Sequence, residues 1–475
     1  MIKEKKYDVV IVGAGPGGLF CCYKLLLLNP NLKIALVDKG ENIIKRECPA
    51  LNDKCENCNP CNLVSGAGGA GLFIDGKLVF DLNVGGHLKN LLSIKEKSKY
   101  LQEILSVFRK FDGDFHESKS SSPMIKRFVK LINKEGLKFK YFPVKHLGSL
   151  NSRNFVSILI KYFKDNGVDF LPNTQITNVK TSQPFNELIA NKDEEQNNLK
   201  TKFVVFSVGK ENSKWLSEII RKLGGNQTNN ACYFGVRIEV YTKILDFLFN
   251  LTTDPKIYKI FKDGTKMKTH CFCKNGQVLL TKYYNLPLVG GHSIYNDNKI
   301  IFNKFKYQSY NSNFAILLRD NSDFSFNWED CLSYMKKINK LTHGKLLVQR
   351  LGDFFMNRPT NIEQLHNNRI KSSIPSNIYP GNIAEINLPL NYNEKFVIFL
   401  KKLNKIVPGV LYPDNLIYAP AIEWWMPKIK VNKYMETEIN NIFTIGDGAG
   451  LSQGIVHAAA TGILSAIGIF RKMNK

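Results

Sequence analysis

The stretch that most limits what this chain can fold into is "YDVVIVGAGPGGLFCCYKLLLLNPNLKIALVDKG", residues 7–40. Val9 to Val12 form the short apolar run required of a parallel strand covered on both faces. Gly13, Gly15 and Gly18 then spell G-x-G-x-x-G, with Gly17 inside the same turn. The first glycine permits a tight turn. The second lets backbone amides approach a pyrophosphate, and the third lets a helix sit close on the strand. The helix that follows, expected from Leu19 to about Leu28, aims the partial positive charge of its N-terminus at those phosphates. A second apolar strand, "KIALVD", ends in Asp38, where a carboxylate can accept hydrogen bonds from an adenosine ribose, with Lys39 beside it. Strand, turn, helix, strand and acid together specify a dinucleotide-binding unit, which the glycine pattern alone would not. Cys21 and Cys22 in the helix read as small packing residues.

The other end of the chain narrows the dinucleotide. "INNIFTIGDGAGLSQGIVHAAATGILSAIGIF", residues 439–470, reads as a strand, a turn and a helix of small residues. It resembles the second flavin motif of the glutathione-reductase-like superfamily. The resemblance implies FAD, with Asp447 at its ribityl and pyrophosphate region and the helix N-terminus aimed at the flavin ring. Gly446, Gly454 and Ile455 join the expected cofactor site. Ala458, Ala459, Ala460 and Gly462 suit a helix packed at short range, and His457, one turn in, is a candidate to approach the ring.

Between these anchors, "GAGGAGLFIDGKL" carries Gly66, Gly68, Gly69 and Gly71 and then Asp75 and Lys77. Bare backbone suits close approach to a flat ring. The loop is expected along FAD, with Lys77 beside the pyrimidine side or N5 edge, where an ammonium would stabilise negative charge on a reduced ring. Here the chain resembles a poorly characterised family of bacterial and archaeal FAD-dependent dehydrogenases. The segments that carry the likeness are this one, "FGVRIE" (234–239), "THCFCKNGQV" (269–278), "YNSNFAILL" (310–318), "QRLGDF" (349–354) and "GDGAGLSQGI" (446–455). Ile74, "SVGK" (207–210) and "KNG" (274–276) depart from the family pattern of a hydroxyl residue, Gly-Arg and Pro-Gly-Gly. The resemblance implies an FAD-dependent oxidoreductase, a dehydrogenase passing hydride or electrons between flavin and an unidentified small molecule. Lys77 and His457 are its candidate catalytic side chains.

The glycine loop is preceded by Cys48, Cys55, Cys58 and Cys61. Such spacing is consistent with an iron–sulfur cluster, with a zinc site, with a thiol relay at the flavin, or with no metal and no catalysis. A cluster here would make the chain an electron-carrying flavoprotein. Cys271 and Cys273 alternate on an expected strand, placed to reach the flavin or to pack, and Arg237 and Arg350 are candidates for an acidic substrate or for structural ion pairs.

The two flavin motifs lie more than 400 residues apart, so the expected fold is α/β: a discontinuous Rossmann-like FAD domain (1–85, 148–212 and 430–475) with an inserted α+β substrate domain (213–429) and a mainly helical insertion (86–147). The middle holds no second strand–GxGxxG–helix, so NAD(P)H is expected only as a transient donor, with a protein electron donor as the alternative. The net charge of +25 comes largely from scattered lysines, which argues for a basic surface over a nucleic-acid face, an RNA-associated flavoprotein being the least favoured reading. No run of 18 apolar residues and no signal peptide is read, so a cytoplasmic protein without a transmembrane segment is expected.

Overall fold

The computed structural model describes residues 4–49, 56–74, 76–113, 115–117, 122–182, 184–192, 195–292, 310–320, 326–374 and 376–474. The chain is an α/β protein built on a Rossmann-like sheet. Strands β1 (Glu4–Val12) and β2 (Ile34–Val37) pair in parallel, Val9 opposite Ile34 and Val12 opposite Val37. Asp169–Leu171 extends the parallel sheet beyond β2, and Glu195–Phe206 runs beside β1 on its other edge. Ile442–Thr444, from the far end of the chain, also pairs in parallel with Glu195–Phe206. The sheet is therefore assembled from three separated stretches, and its central runs Val9–Val12, Ile34–Val37 and Phe203–Phe206 are buried on both faces.

Helix α1 (Pro16–Leu28) starts earlier than the sequence reading, with Pro16 in its first turn, where the missing N–H is no loss. It crosses the C-terminal helix Ile455–Met473 at very short range. A Cβ added to Gly462 would lie 2.2 Å from the Gly17 carbonyl oxygen, and one added to Gly18 would lie 2.0 Å from that of Gly13. Buried Cys21 accepts a hydrogen bond from the Ser465 hydroxyl at 3.2 Å, consistent with the packing role read for it. Ile455–Met473 is long and apolar enough to cross a membrane, and 78% of the window that qualifies is buried inside the protein.

A second sheet of eight strands runs Ile378–Pro380, Leu346–Arg350, Leu416–Glu423, Tyr233–Tyr241, Asn311–Arg319, Lys266–Cys273, Lys256–Ile260 and Lys138–Lys140. It is antiparallel apart from the pairing of Leu346–Arg350 with Ile378–Pro380. One face packs on an aromatic-rich core that includes Phe234, Phe314, Tyr392 and Phe396. A hairpin, Gln277–Tyr283 with Leu286–His292, covers part of the other. The segment 86–147 holds the helices Ile94–Lys110 and Ser122–Lys134, and its strand Lys138–Lys140 forms the outer edge of this second sheet.

Candidate functional site: a cleft between two glycine turns

A cleft of about 320 Å³ opens where β1, β2, Glu195–Phe206 and Ile442–Thr444 end. Its wall is made by Gly13, Gly15, Gly17, Asp38, Lys39, Gly69 and Gly71, and by Gly446, Asp447, Gly454, Ile455 and Ala458 from the C-terminal turn and helix. Two turns that are remote in sequence thus share one cavity at the carboxyl ends of parallel strands, where open α/β sheets bind ligands. Gly13 has φ +109 and Gly446 φ +77, values that only glycine adopts freely. Gly15 and Gly454, the N-caps of α1 and of the C-terminal helix, provide no side-chain cap. Two helix N-termini therefore present first-turn amides without a capping side chain beside the cavity.

The glycine segment bridges these turns. The Gly68 amide donates to the Ala14 carbonyl at 2.9 Å. A Cβ on Gly69 would lie 3.4 Å from Gly15 Cα, and one on Gly71 would lie 2.8 Å from Ile455 Cγ1. Gly71 has no room for a Cβ and Gly69, at φ +61, takes a conformation that favours glycine; from Gly69 the segment is the short helix Gly69–Ile74 and not the loop expected from the sequence. Gly18 and Gly68 do not line the cleft; Gly18 serves the strand–helix crossing and Gly68 the contact with the first turn.

Asp38 is buried at the end of β2. Its carboxylate accepts the Ala14 amide at 2.8 Å and the Gly40 amide at 2.9 Å. Burial raises its pKa, and those amides and the Arg46 charge oppose the rise. Asp447 accepts the Ser452 hydroxyl at 2.6 Å and the Gly454 amide at 3.3 Å; burial raises it too, against the pull of Lys210. At the mouth, Lys39 pairs with Glu211 at 3.1 Å and donates to Asn212 at 3.1 Å, while the Ser65 hydroxyl donates to Glu211 at 2.7 Å.

Other expected residues lie elsewhere. His457 is not on the cleft wall; it is buried on another side of its helix, against Gly86, whose added Cβ would lie 2.0 Å from the His457 ring. Lys77 is not on the wall either. Its ammonium is committed to an ion pair with the buried Asp254, which belongs to the approach to the second sheet. Asp75 and Cys55 fall outside the described residues. Among the described residues no three His, Cys, Asp or Glu side chains converge as a metal site, so Cys48, Cys58 and Cys61 do not form one by themselves. Cys48 and Cys61 pack instead at the margin of the main core.

Sequence reasoning missed several parts of the site. Ser65, Thr174, the run from Ser207 to Asn212, Trp215 and Tyr283 also line the cleft. Arg46, in the cysteine-rich loop, is fully buried and donates to the carbonyls of Asn62, Leu63, Gly66, Ala67 and Gly69, which fixes the glycine loop from behind. An arginine among cysteines and glycines in a segment with little core was the one signal for it.

No family model matches the chain. It is 24% identical over 502 residues to a protein of Clostridium beijerinckii described as uncharacterized, covering 99% of this chain and 82% of that one. Among solved structures it is similar to p-nitrophenol 4-monooxygenase from Pseudomonas putida (9% identity, 99% of this chain and 80% of that one, TM-score 0.41). It is also similar to a geranylgeranyl bacteriochlorophyll reductase-like protein from Thermoplasma acidophilum (12%, 99% and 79%, TM-score 0.41). A third is a flavoprotein/dehydrogenase from Cytophaga hutchinsonii (9%, 99% and 79%, TM-score 0.39).

Proposed function

We propose that the chain binds one FAD in this cleft and is an FAD-dependent oxidoreductase acting on a small molecule. The observation that carries the reading is the convergence of two uncapped helix N-termini and two positive-φ glycine turns, each with an aspartate on the wall, on one cavity. A nicotinamide dinucleotide needs one such unit. A second glycine–aspartate turn on the same cavity suits a cofactor whose second half also needs anchoring.

The residues fit that group. The amides around Gly13, Gly15 and Gly17 would hold the pyrophosphate, and Asp38 would accept from the ribose. Asp447, already oriented by Ser452 and Gly454, would take the ribityl end. The Gly66–Gly71 loop would lie along the cofactor and exclude water from that side. The first turn at Ile455 would favour negative charge near the ring. FAD when bound supplies the two-electron chemistry, hydride or electron transfer. The dehydrogenase reading within that class, with its unidentified substrate and a transient NAD(P)H or protein donor, rests on the sequence resemblance.

Acid denaturation of the purified protein should release FAD in a one-to-one ratio with the chain. Asp38→Ala should weaken its binding by about 1–3 kcal/mol, the scale of a lost charged hydrogen bond. A folded preparation that contains no flavin and takes up none on reconstitution would overturn the reading.

A further inference from the structure

The strand Lys266–Cys273 runs antiparallel to Asn311–Arg319, and its register breaks between His270 and Cys273. At the break Cys271 has φ +50, a left-handed conformation uncommon for a residue with a Cβ. Beside this bulge lies Arg237, only 3% exposed. Its Nη2 donates to the Cys271 carbonyl at 2.9 Å and to Cys273 Sγ at 3.2 Å, and its Nε donates to Asn313 Oδ1 at 2.7 Å. Its printed partners are two neutral oxygens and the Cys273 sulfur, and among the described residues no carboxylate stands within ion-pair distance of it. The group within reach that can become an anion is a cysteine sulfur. Two glycines make the space: a Cβ on Gly291 would lie 1.9 Å from Arg237 Nη2, and one on Gly276 would lie 2.9 Å from Cys273 Cβ.

The surroundings agree. Lys77 pairs with Asp254, which also holds Lys256 at 3.0 Å, and Lys256 lies 3.3 Å from His270 Nδ1. The neighbouring Cys273 sulfur, then Lys77 and Arg237, hold the Cys271 thiol well below its usual range, against burial and the Asp254 charge. Cys271 is half-buried and Cys273 is 2% exposed, so Cys271 is the more accessible residue of the two.

We propose that Cys271 and Cys273 are a redox-active dithiol that reduces small aliphatic disulfides, with Cys271 attacking, Cys273 resolving and Arg237 as the counter-cation. The Cys271 thiolate attacks one sulfur of the small disulfide. That S–S bond breaks, and the first thiolate leaves and takes a proton from solvent. Cys273 gives its proton to solvent and attacks Cys271 Sγ, which expels the second thiolate. The small disulfide gains two electrons and becomes two thiols, while the protein loses the same two electrons and holds a Cys271–Cys273 disulfide. A small dithiol restores the pair by the reverse exchange. None of these steps passes through the proposed flavin cleft, so the inference stands apart from the cofactor reading.

The test treats the reduced full-length protein with hydroxyethyl disulfide and maps its peptides without reduction. The peptide spanning Cys271 and Cys273 should lose two hydrogens, and Cys273→Ser should stop at a hydroxyethylthio adduct on Cys271. In parallel, the rate of Cys271 alkylation by iodoacetamide should follow a midpoint below the ordinary thiol value of about 8.5, with Arg237→Met moving it part of the way back, since Cys273 and Lys77 remain, and Arg237→Lys moving it less. If Arg237→Met does not fold, the wild-type profile and Cys273→Ser still decide. An adduct that persists on Cys271 with Cys273 intact, no reaction at Cys271, or an alkylation midpoint at the ordinary thiol value would each overturn the proposal.

Discussion

Arg46 has the largest fully buried side chain among the described residues, and it faces backbone oxygens where a carboxylate would be the usual partner. Its guanidinium donates to five carbonyls of the segment that carries the glycines, and it lies 4.1 Å over the Phe73 ring. Burial pulls its pKa down to about 10, with Asp38 the main opposing charge. Arg46→Met keeps the stem but orphans those oxygens, so unfolding in urea should show about 3–5 kcal/mol less stability. Arg46→Lys should not restore it, because one ammonium cannot span oxygens laid out for a planar fork. Unchanged stability in Arg46→Met would show that the loop is held some other way. His457 makes a second residue-scale case. Its Nε2 has no hydrogen-bond partner, and burial pulls its pKa down to about 4, with Asp81 opposing and His87 reinforcing the fall. The unfolded chain, with the ordinary histidine value, takes the proton first, so stability is present at neutral pH and is lost as pH falls toward 4. From about pH 7 to about pH 5 the loss should be about 2 kcal/mol, and His457→Leu should remove that slope. A wild type and a His457→Leu protein with the same pH slope would contradict this.

At the scale of elements, the crossing of α1 with the C-terminal helix sets the width of the cleft, because each helix brings its N-terminus to it. Backbone meets backbone there, at Gly462 and Gly17, so no side chain can move aside. Gly462→Val should therefore destabilise the protein by about 3 kcal/mol and weaken binding of the proposed FAD, since the two N-termini would be pushed apart. Thermal unfolding and retained flavin both read this out, and a stable, flavin-loaded Gly462→Val protein would refute the packing argument. These helices and their turns were legible in the sequence because the glycines there answer backbone demands: a positive φ, a close approach, a crossing without Cβ. The same logic singled out the glycines at 66–71, though from Gly69 they open the short helix Gly69–Ile74 and not a loop. It failed for Tyr283 and Trp215, which reach the cleft from the hairpin Gln277–Tyr283 and the helix Ser213–Lys222; nothing in their local sequence marks them. It also failed for the side chains of Lys77 and His457. Spacing placed them on the right segments, but which way each points is decided by tertiary partners, Asp254 for one and the Gly86 backbone for the other.

On the scale of the whole molecule, the cleft belongs to the parallel sheet and the bulged cysteine strand to the antiparallel one, so something has to fix the two parts against each other. The pair of Lys77 with Asp254 ties the second sheet to a small three-stranded sheet whose Leu78 packs in the same core as the parallel sheet. Lys77 belongs to Lys77–Val79, which pairs with Val144–His146, and Asp254 leads into Lys256–Ile260 of the second sheet. Asp254 is almost fully buried, and Lys256 and Lys77 hold its carboxyl well below the usual range in spite of that burial. A carboxyl lowered in this way stabilises the folded state above the ordinary carboxylate range and loses that contribution as pH falls. Lys77→Met leaves the buried carboxylate with Lys256 as its remaining lysine, and should lower stability at neutral pH by about 3 kcal/mol. Asp254→Asn should be comparably damaging, because it leaves two lysines facing each other. In the double variant the charge that each single change strands is reduced, so its loss should fall short of the sum by about 1–3 kcal/mol. Urea unfolding of the four proteins measures that coupling. Strict additivity would mean that the ion pair does not join the small three-stranded sheet to the second sheet, and that the position of Lys77 is set by its strand alone.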